Sequence, residues 1–181
     1  MQTITLVSGN KDKIAEWQNQ LPDTIQLLSR DIGLAEIQSI DPVEIITDKV
    51  KRAYEQLGSP VVVEDVSFSL PRLGGLPGPF IKFWLKPNGD GVAPLHQIIR
   101  DGEAATVTCT IGFYDGTALL IASGTVNGSI TTPRGSHGFG FDSFFLPNDL
   151  TTTYAEMDVV EKNKMSHRSL AIADFVQKLH I

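Results

Sequence analysis

The chain has 181 residues, of which 41% are hydrophobic and 20% charged, and its formal net charge is −6. This length predicts a single domain over residues 1–181 with a substantial core. The acidic balance argues against a binder of nucleic acid polymers, although a local cluster of lysines would still suit a small polyanion. The sequence shows neither a long apolar run nor a signal peptide, and it has one cysteine, so we expect a cytoplasmic protein that does not contact a membrane.

The first third of the chain alternates predicted strands with predicted helices. β-Branched and apolar runs indicate the strands, and apolar residues at helical spacing indicate the helices. Asp41 and Pro42 are typical of a helix start, and Gly58 of a helix end. The predicted elements are, in order, a strand at 3–7, a helix at 11–21, a strand at 25–28, a helix at 42–57 and a strand at 61–65.

The rest of the chain is richer in antiparallel signals. The dipeptide Asp115-Gly116 is a good hairpin turn between two long β-branched runs. The predicted elements are helices at 80–85, 92–99 and 166–179 and strands at 105–114, 118–130 and 144–146. This order predicts a mixed α/β (α+β) fold, in which helices flank one elongated mixed β-sheet.

The segment SGNKDK, residues 8–13, follows the first predicted strand and opens the first predicted helix. A helix start offers backbone N–H groups to an anion, and Gly9 allows a ligand to approach the backbone closely, so the segment is a candidate phosphate site. The segment is not a P-loop, which requires GxxxxGK[ST]. Taken alone, a turn before a solvated helix start is the simpler interpretation.

Glu64 and Asp65 end the apolar strand VVVED. Side chains alternate between the two faces of a strand, so these two acids need not do the same work. Carboxylate oxygens suit Mg²⁺, which makes the pair a candidate metal or catalytic site, with a solvated strand end as the alternative. Lys49 and Lys82 are further candidate phosphate contacts, for which a snorkelling surface lysine is the alternative.

The segment GFGFD, residues 138–142, combines two glycines, two aromatic rings and an acid. An aromatic face can stack on a nucleobase and an acid can accept a hydrogen bond from a base, whereas a packing cluster is the alternative interpretation. Lys162, His167 and Arg168 lie around a predicted helix start and offer donors to a base edge or a phosphate. Taken together, phosphate donors, oxygen ligands and a base pocket indicate an enzyme that acts on nucleoside phosphates.

Four longer segments, spread along the chain, carry a family resemblance. They are SGNKDK (8–13), VEDVSFSLPRLGGLPGPFIKFWL (63–85), PRGSHGFGFDSFF (133–145) and TYAEMDVVEKNKMSHRSLA (153–171). In their residues and their order they resemble the inosine triphosphate pyrophosphatase family. The chain departs from the usual residues of that family at Ser8, Val66 and Phe141, and Val66 removes a hydroxyl beside the acid pair.

The resemblance implies a two-lobed fold with the nucleotide in a central cleft, usually in a homodimer. It implies hydrolysis of ITP, dITP and XTP to the nucleoside monophosphate and pyrophosphate, which cleanses the nucleotide pool. It also implies Mg²⁺ as the cofactor, with Mn²⁺ as an alternative. The partner expected from it is therefore a purine nucleoside triphosphate and a second copy of the chain.

The same resemblance implies a set of site residues. The phosphate contacts are the segment Ser8, Gly9, Asn10, Lys11, Asp12 and Lys13, together with Lys49 and Lys82. Within that segment Lys13 matches the contact of the family, whereas Lys11 still reads as a solvated charge. The metal acids are Glu36 and Asp65, and the candidate general bases are Asp65 and Glu64. The base and remaining nucleotide contacts are Phe139, Gly140, Phe141, Asp142, Lys162, His167 and Arg168.

Selectivity in such an enzyme should depend on the 6-keto group of the purine. Donors from His167 and Arg168 would satisfy a keto oxygen, whereas the amino group of adenine would leave donor facing donor. A site built on hydrogen bonds can reject such a mismatch by about 10⁴-fold. Two alternatives stay open from the sequence: a related nucleotide pyrophosphatase with another base preference, and a non-enzymatic nucleotide-binding protein.

Overall fold

The computed structural model describes residues 2–85 and 95–179. The α-helices are α1 (Lys11–Gln18), α2 (Pro42–Leu57), α3 (Leu95–Ile98), α4 (Val159–Lys162) and α5 (His167–Lys178). The strands are β1 (Gln2–Val7), β2 (Ile25–Arg30), β3 (Val61–Ser69), β4 (Pro77–Gly78), β5 (Ala104–Tyr114), β6 (Leu119–Ile130) and β7 (Phe145–Pro147). Short 3-10 helices span Pro71–Leu73, Pro79–Trp84 and Tyr154–Glu156.

The strands form one mixed sheet, which confirms the predicted fold class. Their order is β2-β1-β3-β5-β6-β7, and β4 pairs with β3. β1 is parallel to both β2 and β3, with Thr5 opposite Val61, whereas β6 and β7 are antiparallel. Parallel neighbours require helical crossovers and antiparallel neighbours can be joined by a turn, so the sheet combines both kinds of connection.

Contacts divide the chain into two compact units. Of the described residues, the first unit holds 2–65, 109–124 and 168–179, and the second holds 66–108 and 125–167. The core of the first unit joins apolar residues of β1, α2 and β3, which are Val7, Ile46, Val50, Ala53, Val61 and Val63. In the second unit the ring of Phe68 contacts those of Phe141, Phe144 and Phe145 at centroid distances of 5.1, 5.9 and 5.8 Å.

Helix α2 begins and ends where local chemistry predicts. The Asp41 side chain accepts a hydrogen bond from the backbone N–H of Val43, Pro42 is the first helical residue, and Gly58 ends the helix with φ of 62°. Its buried residues recur at helical spacing, which is why one face packs into the core. Lys49 lies near the middle of this helix.

Other boundaries differ from the predicted ones. Helix α1 ends at Gln18 rather than near Leu21, and β3 continues to Ser69. The helix predicted at 92–99 appears as α3 over 95–98, and its residues 92–94 lie outside the described residues. In the described ranges, none of the helices combines the length and apolar character that crossing a membrane requires.

Candidate functional site

The segment SGNKDK forms a capped turn between β1 and α1. The backbone N–H of Asn10 donates to Ser8 Oγ at 3.2 Å. In turn, Asn10 Oδ1 accepts from the backbone N–H groups of Asp12 and Lys13 at 2.9 and 3.2 Å. Asn10 therefore engages two of the first-turn amides that the sequence predicts as phosphate donors.

Gly9 is required in this turn because another side chain approaches it closely. A Cβ added at Gly9 would run into the carboxylate of Asp31. Asp31 is exposed and is the first residue after β2. Its Oδ1 accepts from the backbone N–H of Gly33 at 3.3 Å. Glycine is therefore needed here to accommodate the Asp31 carboxylate, which fills the space that a Cβ would occupy.

Glu64 lies at the centre of a buried charged cluster in the first unit. Only 3% of the residue is exposed. Its carboxylate accepts from Trp17 Nε1 at 2.6 Å and from Arg168 Nη2 at 2.9 Å. Arg168 Nε also lies 3.0 Å from Oε2, and Lys13 Nζ lies 3.0 Å from Oε1. This carboxylate therefore binds two cations and one indole.

Helix α1 supplies the remaining acid of the cluster. Lys13, Glu16 and Trp17 stand at positions i, i+3 and i+4, so they share one face of the helix. Glu16 is 7% exposed and forms an ion pair with Nη1 of Arg168, which is 2% exposed. The cluster thus balances two acids with two bases, which is how buried charges are normally accommodated.

The surroundings hold Glu64 in its ionised form. Burial alone would raise its pKa, but the charges of Arg168 and Lys13, with the hydrogen bonds from Arg168 and Trp17, lower the pKa far below its ordinary value. For Arg168, burial opposes the charged form, but the negative charges of Glu64 and Glu16 and the hydrogen bond to Glu64 act together to raise the pKa. Glu64 is consequently a very weak proton acceptor.

Cys109, the single cysteine of the chain, adjoins this cluster and is buried. Its Sγ lies 4.0 Å from Glu64 Oε2, and none of the residue is exposed. Burial and the negative charge of Glu64 raise the pKa of the thiol. A thiol in this state is a packing residue rather than a nucleophile.

Lys49 links the loop after β2 to strand β3. Its Nζ lies 2.6 Å from Glu36 Oε1 and donates to the backbone carbonyl of Glu64 at 3.2 Å. Asp65, the next residue, is half-buried. The structure thus brings Lys49 and Glu36 to the position along β3 at which the acid pair begins.

Glu36 and Asp65, the two acids that the family resemblance assigns to a metal, carry the oxygen ligands that Mg²⁺ prefers. In residues 2–85 and 95–179, no group of three or more metal-ligating side chains is present. Mg²⁺ usually binds through one or two carboxylates, several waters and substrate phosphates, so two acids are a sufficient protein donor set. Lys49 forms an ion pair with Glu36, so the Glu36 carboxylate would bind both this lysine and the metal.

The segment GFGFD belongs to the second unit, where Asp142 organises it. Asp142 Oδ2 accepts from the backbone N–H of Phe139 at 2.8 Å and lies 2.7 Å from Lys162 Nζ. The side chains of Asp142 and Lys162 are only 4% and 5% exposed. Gly138 has φ of 72°, and a Cβ there would run into the Asp142 carboxylate, so glycine is needed for both reasons.

Aromatic rings surround this ion pair. Lys162 Nζ lies 5.2 Å from the ring centroid of Phe139 and 5.7 Å from that of Tyr154. Tyr154 stacks on His167 at 6.0 Å, and Phe141 lies 5.6 Å from the same imidazole. The second unit therefore packs aromatic rings around a buried ion pair.

Other predicted site residues of the second unit lie away from this ion pair or are buried in the core. Lys82 is exposed on the 3-10 helix Pro79–Trp84, with Nζ 5.3 Å from the ring centroid of Phe83. Gly140 is exposed, and a Cβ there would lie 3.4 Å from the Leu85 side chain. Phe141 is 7% exposed and packs in the core, whereas Phe139 is half-buried and offers more accessible ring surface.

Sequence reasoning missed Glu16, Trp17 and Tyr154 as members of these clusters. The spacing of Glu16 and Trp17 from Lys13 on one helix was a usable signal, since i+3 and i+4 neighbours share a face. Tyr154 carries no such signal, because its partners Lys162 and His167 lie on other elements.

Comparisons with known proteins show which proteins this chain is similar to. The family model of the Ham1 family matches residues 4–178. The chain is 38% identical to the inosine triphosphate pyrophosphatase of Schizosaccharomyces pombe over 98% of this chain and 96% of that protein. It is 40% identical to the enzyme of the same name from Pyricularia oryzae, over 94% and 90%. A Ham1 protein structure from Coxiella burnetii is similar with a TM-score of 0.84 and 28% identity, and each chain is covered to 99%.

Proposed function

Because this chain belongs to the Ham1 family, we propose that it hydrolyses noncanonical purine nucleoside triphosphates to the nucleoside monophosphate and pyrophosphate. The substrates are ITP, dITP and XTP. One observation carries the proposal: Lys13 contacts the carboxylate of Glu64 and Lys49 contacts its backbone carbonyl, and the half-buried Asp65 is the next residue. Two ammonium groups beside an acid suit a polyphosphate and the water that attacks it.

The first unit binds the triphosphate in this proposal. Ser8, Gly9 and Asn10 bring backbone close to the phosphates, and Lys13 and Lys49 neutralise their charge. Lys82, which the family resemblance also assigns to the phosphates, belongs to the second unit, and its phosphate role stays a prediction. Phosphoryl transfer depends mainly on positioning and charge neutralisation, so this set of groups accounts for most of the required work.

Glu36 and Asp65 hold Mg²⁺ in this proposal, with Mn²⁺ as a substitute. When bound, the metal supplies charge neutralisation at the phosphate oxygens. Lys49 keeps the carboxylate of Glu36 in place through an ion pair of 2.6 Å. Removal of divalent metal should therefore abolish turnover while the fold persists.

Asp65, rather than Glu64, acts as the general base in this proposal. The carboxylate of Glu64 is 1% exposed and its pKa is strongly lowered, so it neither reaches a substrate nor takes up a proton. Asp65 orients or deprotonates the water that attacks the α-phosphorus, and pyrophosphate leaves. The two adjacent acids thus do different work.

The second unit recognises the base in this proposal. Phe139 presents the stacking face. Lys162 and His167 are 4% and 2% exposed, and Lys162 is paired with Asp142, so their role as donors toward the 6-keto oxygen stays a prediction. Arg168, which the sequence assigns to base reading, has donors engaged by the carboxylates of Glu64 and Glu16. Its contribution to base selectivity stays a prediction.

We further propose that residues 1–181 act as a single domain in a cytoplasmic homodimer, as the family resemblance implies. The alternatives for function are a pyrophosphatase with another base preference and a nucleotide-binding protein without turnover. Pyrophosphate release from ITP, XTP, dGTP and ATP should be measured side by side with Mg²⁺. Preference for ITP and XTP supports the proposal, another preference supports the first alternative, and no release from any of them supports the second.

A further inference from the structure

Glu64 contacts both lysines that we assign to the phosphates. Lys13 Nζ lies 3.0 Å from its carboxylate, and Lys49 Nζ donates to its backbone carbonyl at 3.2 Å. We infer that Glu64 is a positioning residue, whose buried carboxylate holds the Lys13 ammonium ready for a phosphate group. The inference rests on the proposed function, because Lys13 receives its phosphate role there.

The carboxylate is itself fixed from the side opposite to solvent. Trp17 donates to it at 2.6 Å and Arg168 donates from both Nε and Nη2, and the side chain is 1% exposed. Of the charges in this cluster Lys13 reaches solvent most, with 22% of its side chain exposed against 2% for Arg168. The charge that a dissolved anion meets is therefore that of Lys13.

Positioning and neutralisation have opposite consequences for affinity. Immobilising a long side chain on binding weakens affinity by roughly two- to tenfold, and a lysine that is already held avoids most of this loss. The negative charge of Glu64 also offsets the attraction between Lys13 and a phosphate. Removing the charge of Glu64 should weaken phosphate binding if positioning dominates, and strengthen it if neutralisation dominates.

Lys49 provides an internal control for this argument. It is held by the backbone carbonyl of Glu64, which the substitution Glu64→Gln leaves in place. The same substitution removes the charge that anchors Lys13. The effects of Glu64→Gln and of a Lys13 substitution on phosphate affinity should therefore be non-additive, whereas the effects of Glu64→Gln and of a Lys49 substitution should be additive.

Inorganic pyrophosphate, titrated calorimetrically well below the melting temperature, is the probe that tests the inference. The proteins to compare are the wild type, Glu64→Gln, Lys13→Met, Lys49→Met and the two double variants with Glu64→Gln. We expect Glu64→Gln to weaken binding by roughly three- to tenfold, in line with the immobilisation loss. In the Lys13→Met background, Glu64→Gln should change the pyrophosphate Kd by less than about twofold. In the Lys49→Met background, it should weaken binding by the same factor as in the wild type.

Several outcomes overturn the inference. One is a lowered melting temperature of Glu64→Gln with an unchanged pyrophosphate Kd, which is the behaviour of a purely structural residue. Tighter binding, an equal factor in the Lys13→Met background, or no pyrophosphate binding by the wild type also overturns it. Glu64→Asp, which keeps the charge on a shorter chain, should recover part of the lost affinity.

A measurement on the wild type covers the case in which Glu64→Gln does not fold. Nitrogen-15 NMR of the lysine ammonium groups should show Lys13 as ordered and Lys11, which is exposed on the same helix, as motionally averaged. Equal mobility of the two overturns the inference. Failure of the proposed function can be distinguished from failure of this inference. The first shows as absent ITP hydrolysis, whereas the second is measured separately by pyrophosphate binding and by the order of the Lys13 side chain.

Discussion

Replacing Arg168 by alanine removes the cation that compensates two buried acids. Arg168 is 2% exposed and pairs with both Glu64 and Glu16. Removing one partner of a buried ion pair destabilises a protein by about 3–5 kcal/mol, because the remaining charge stays buried without compensation. Each kcal/mol lowers the melting temperature of a chain of this size by about 2–4 °C, so we expect a decrease of roughly 6–20 °C at pH 7.

The pH dependence of this loss gives the sharper test. In the wild type the folded-state pKa of Glu64 is lowered, so its stabilising contribution is present above the unfolded pKa of about 4.3 and is lost as the pH falls. In Arg168→Ala, burial acts with less opposition and raises the pKa of Glu64, so protonation relieves the buried charge. The difference in melting temperature between the two proteins should therefore shrink between pH 7 and pH 4.5.

Arg52→Ala is the matched control, since Arg52 pairs with Asp48 on α2 with 49% of its side chain exposed. An exposed pair of this kind contributes about 0.3–0.5 kcal/mol to the free energy of unfolding, so the melting temperature of Arg52→Ala should differ from that of the wild type by less than about 2 °C. Thermal unfolding followed by circular dichroism measures both variants. A decrease in Arg168→Ala as small as that of the control, or a gap that does not change with pH, would refute the buried-charge account.

Three further predictions concern the site. Asp65→Asn should lower kcat by more than about 10²-fold with an unchanged circular dichroism spectrum, and near-normal pyrophosphate release would remove Asp65 from the mechanism. Chelation of divalent metal should stop ITP hydrolysis, and added Mg²⁺ should restore it; turnover that persists in chelator contradicts the metal assignment. Gly138→Ala should raise the KM for ITP and lower stability more than Gly102→Ala, because both glycines have positive φ but only Gly138 adjoins a carboxylate, that of Asp142. Equal effects of the two substitutions would count against Asp142 as the organiser of the base pocket.

Local sequence chemistry predicts much of the fold. The Asp41 cap, Pro42 and Gly58 set the ends of α2, and the alternation of apolar runs and helical spacing indicates the order of elements. These features depend on neighbours within a few residues. Boundaries were less accurate where tertiary pairing decides them, as in β3, which extends to Ser69 because β4 pairs with Phe68 and Ser69.

The charged cluster of the first unit lies beyond such reasoning. Arg168 stands 104 positions after Glu64 in the chain, and periodicity carries no information about a partner at that distance. In the sequence, Arg168 reads as an exposed donor because it follows Ser166 and His167 before a helix. Its burial follows from the acids that α1 and β3 provide, and only the three-dimensional structure brings those elements together.

The adjacent acids of β3 show how the two kinds of reasoning combine. Strand alternation requires Glu64 and Asp65 to face opposite ways, so their division of labour is predictable from the sequence, but which acid takes which part is not. The structure surrounds Glu64 with Lys13, Trp17 and Arg168 and lowers its pKa, while Asp65 is half-buried. A carboxylate that must bind cations permanently cannot also exchange a proton in each turnover. Under the proposed function, the opposite faces of one strand let the fixed charge of Glu64 and the reactive carboxylate of Asp65 stand side by side.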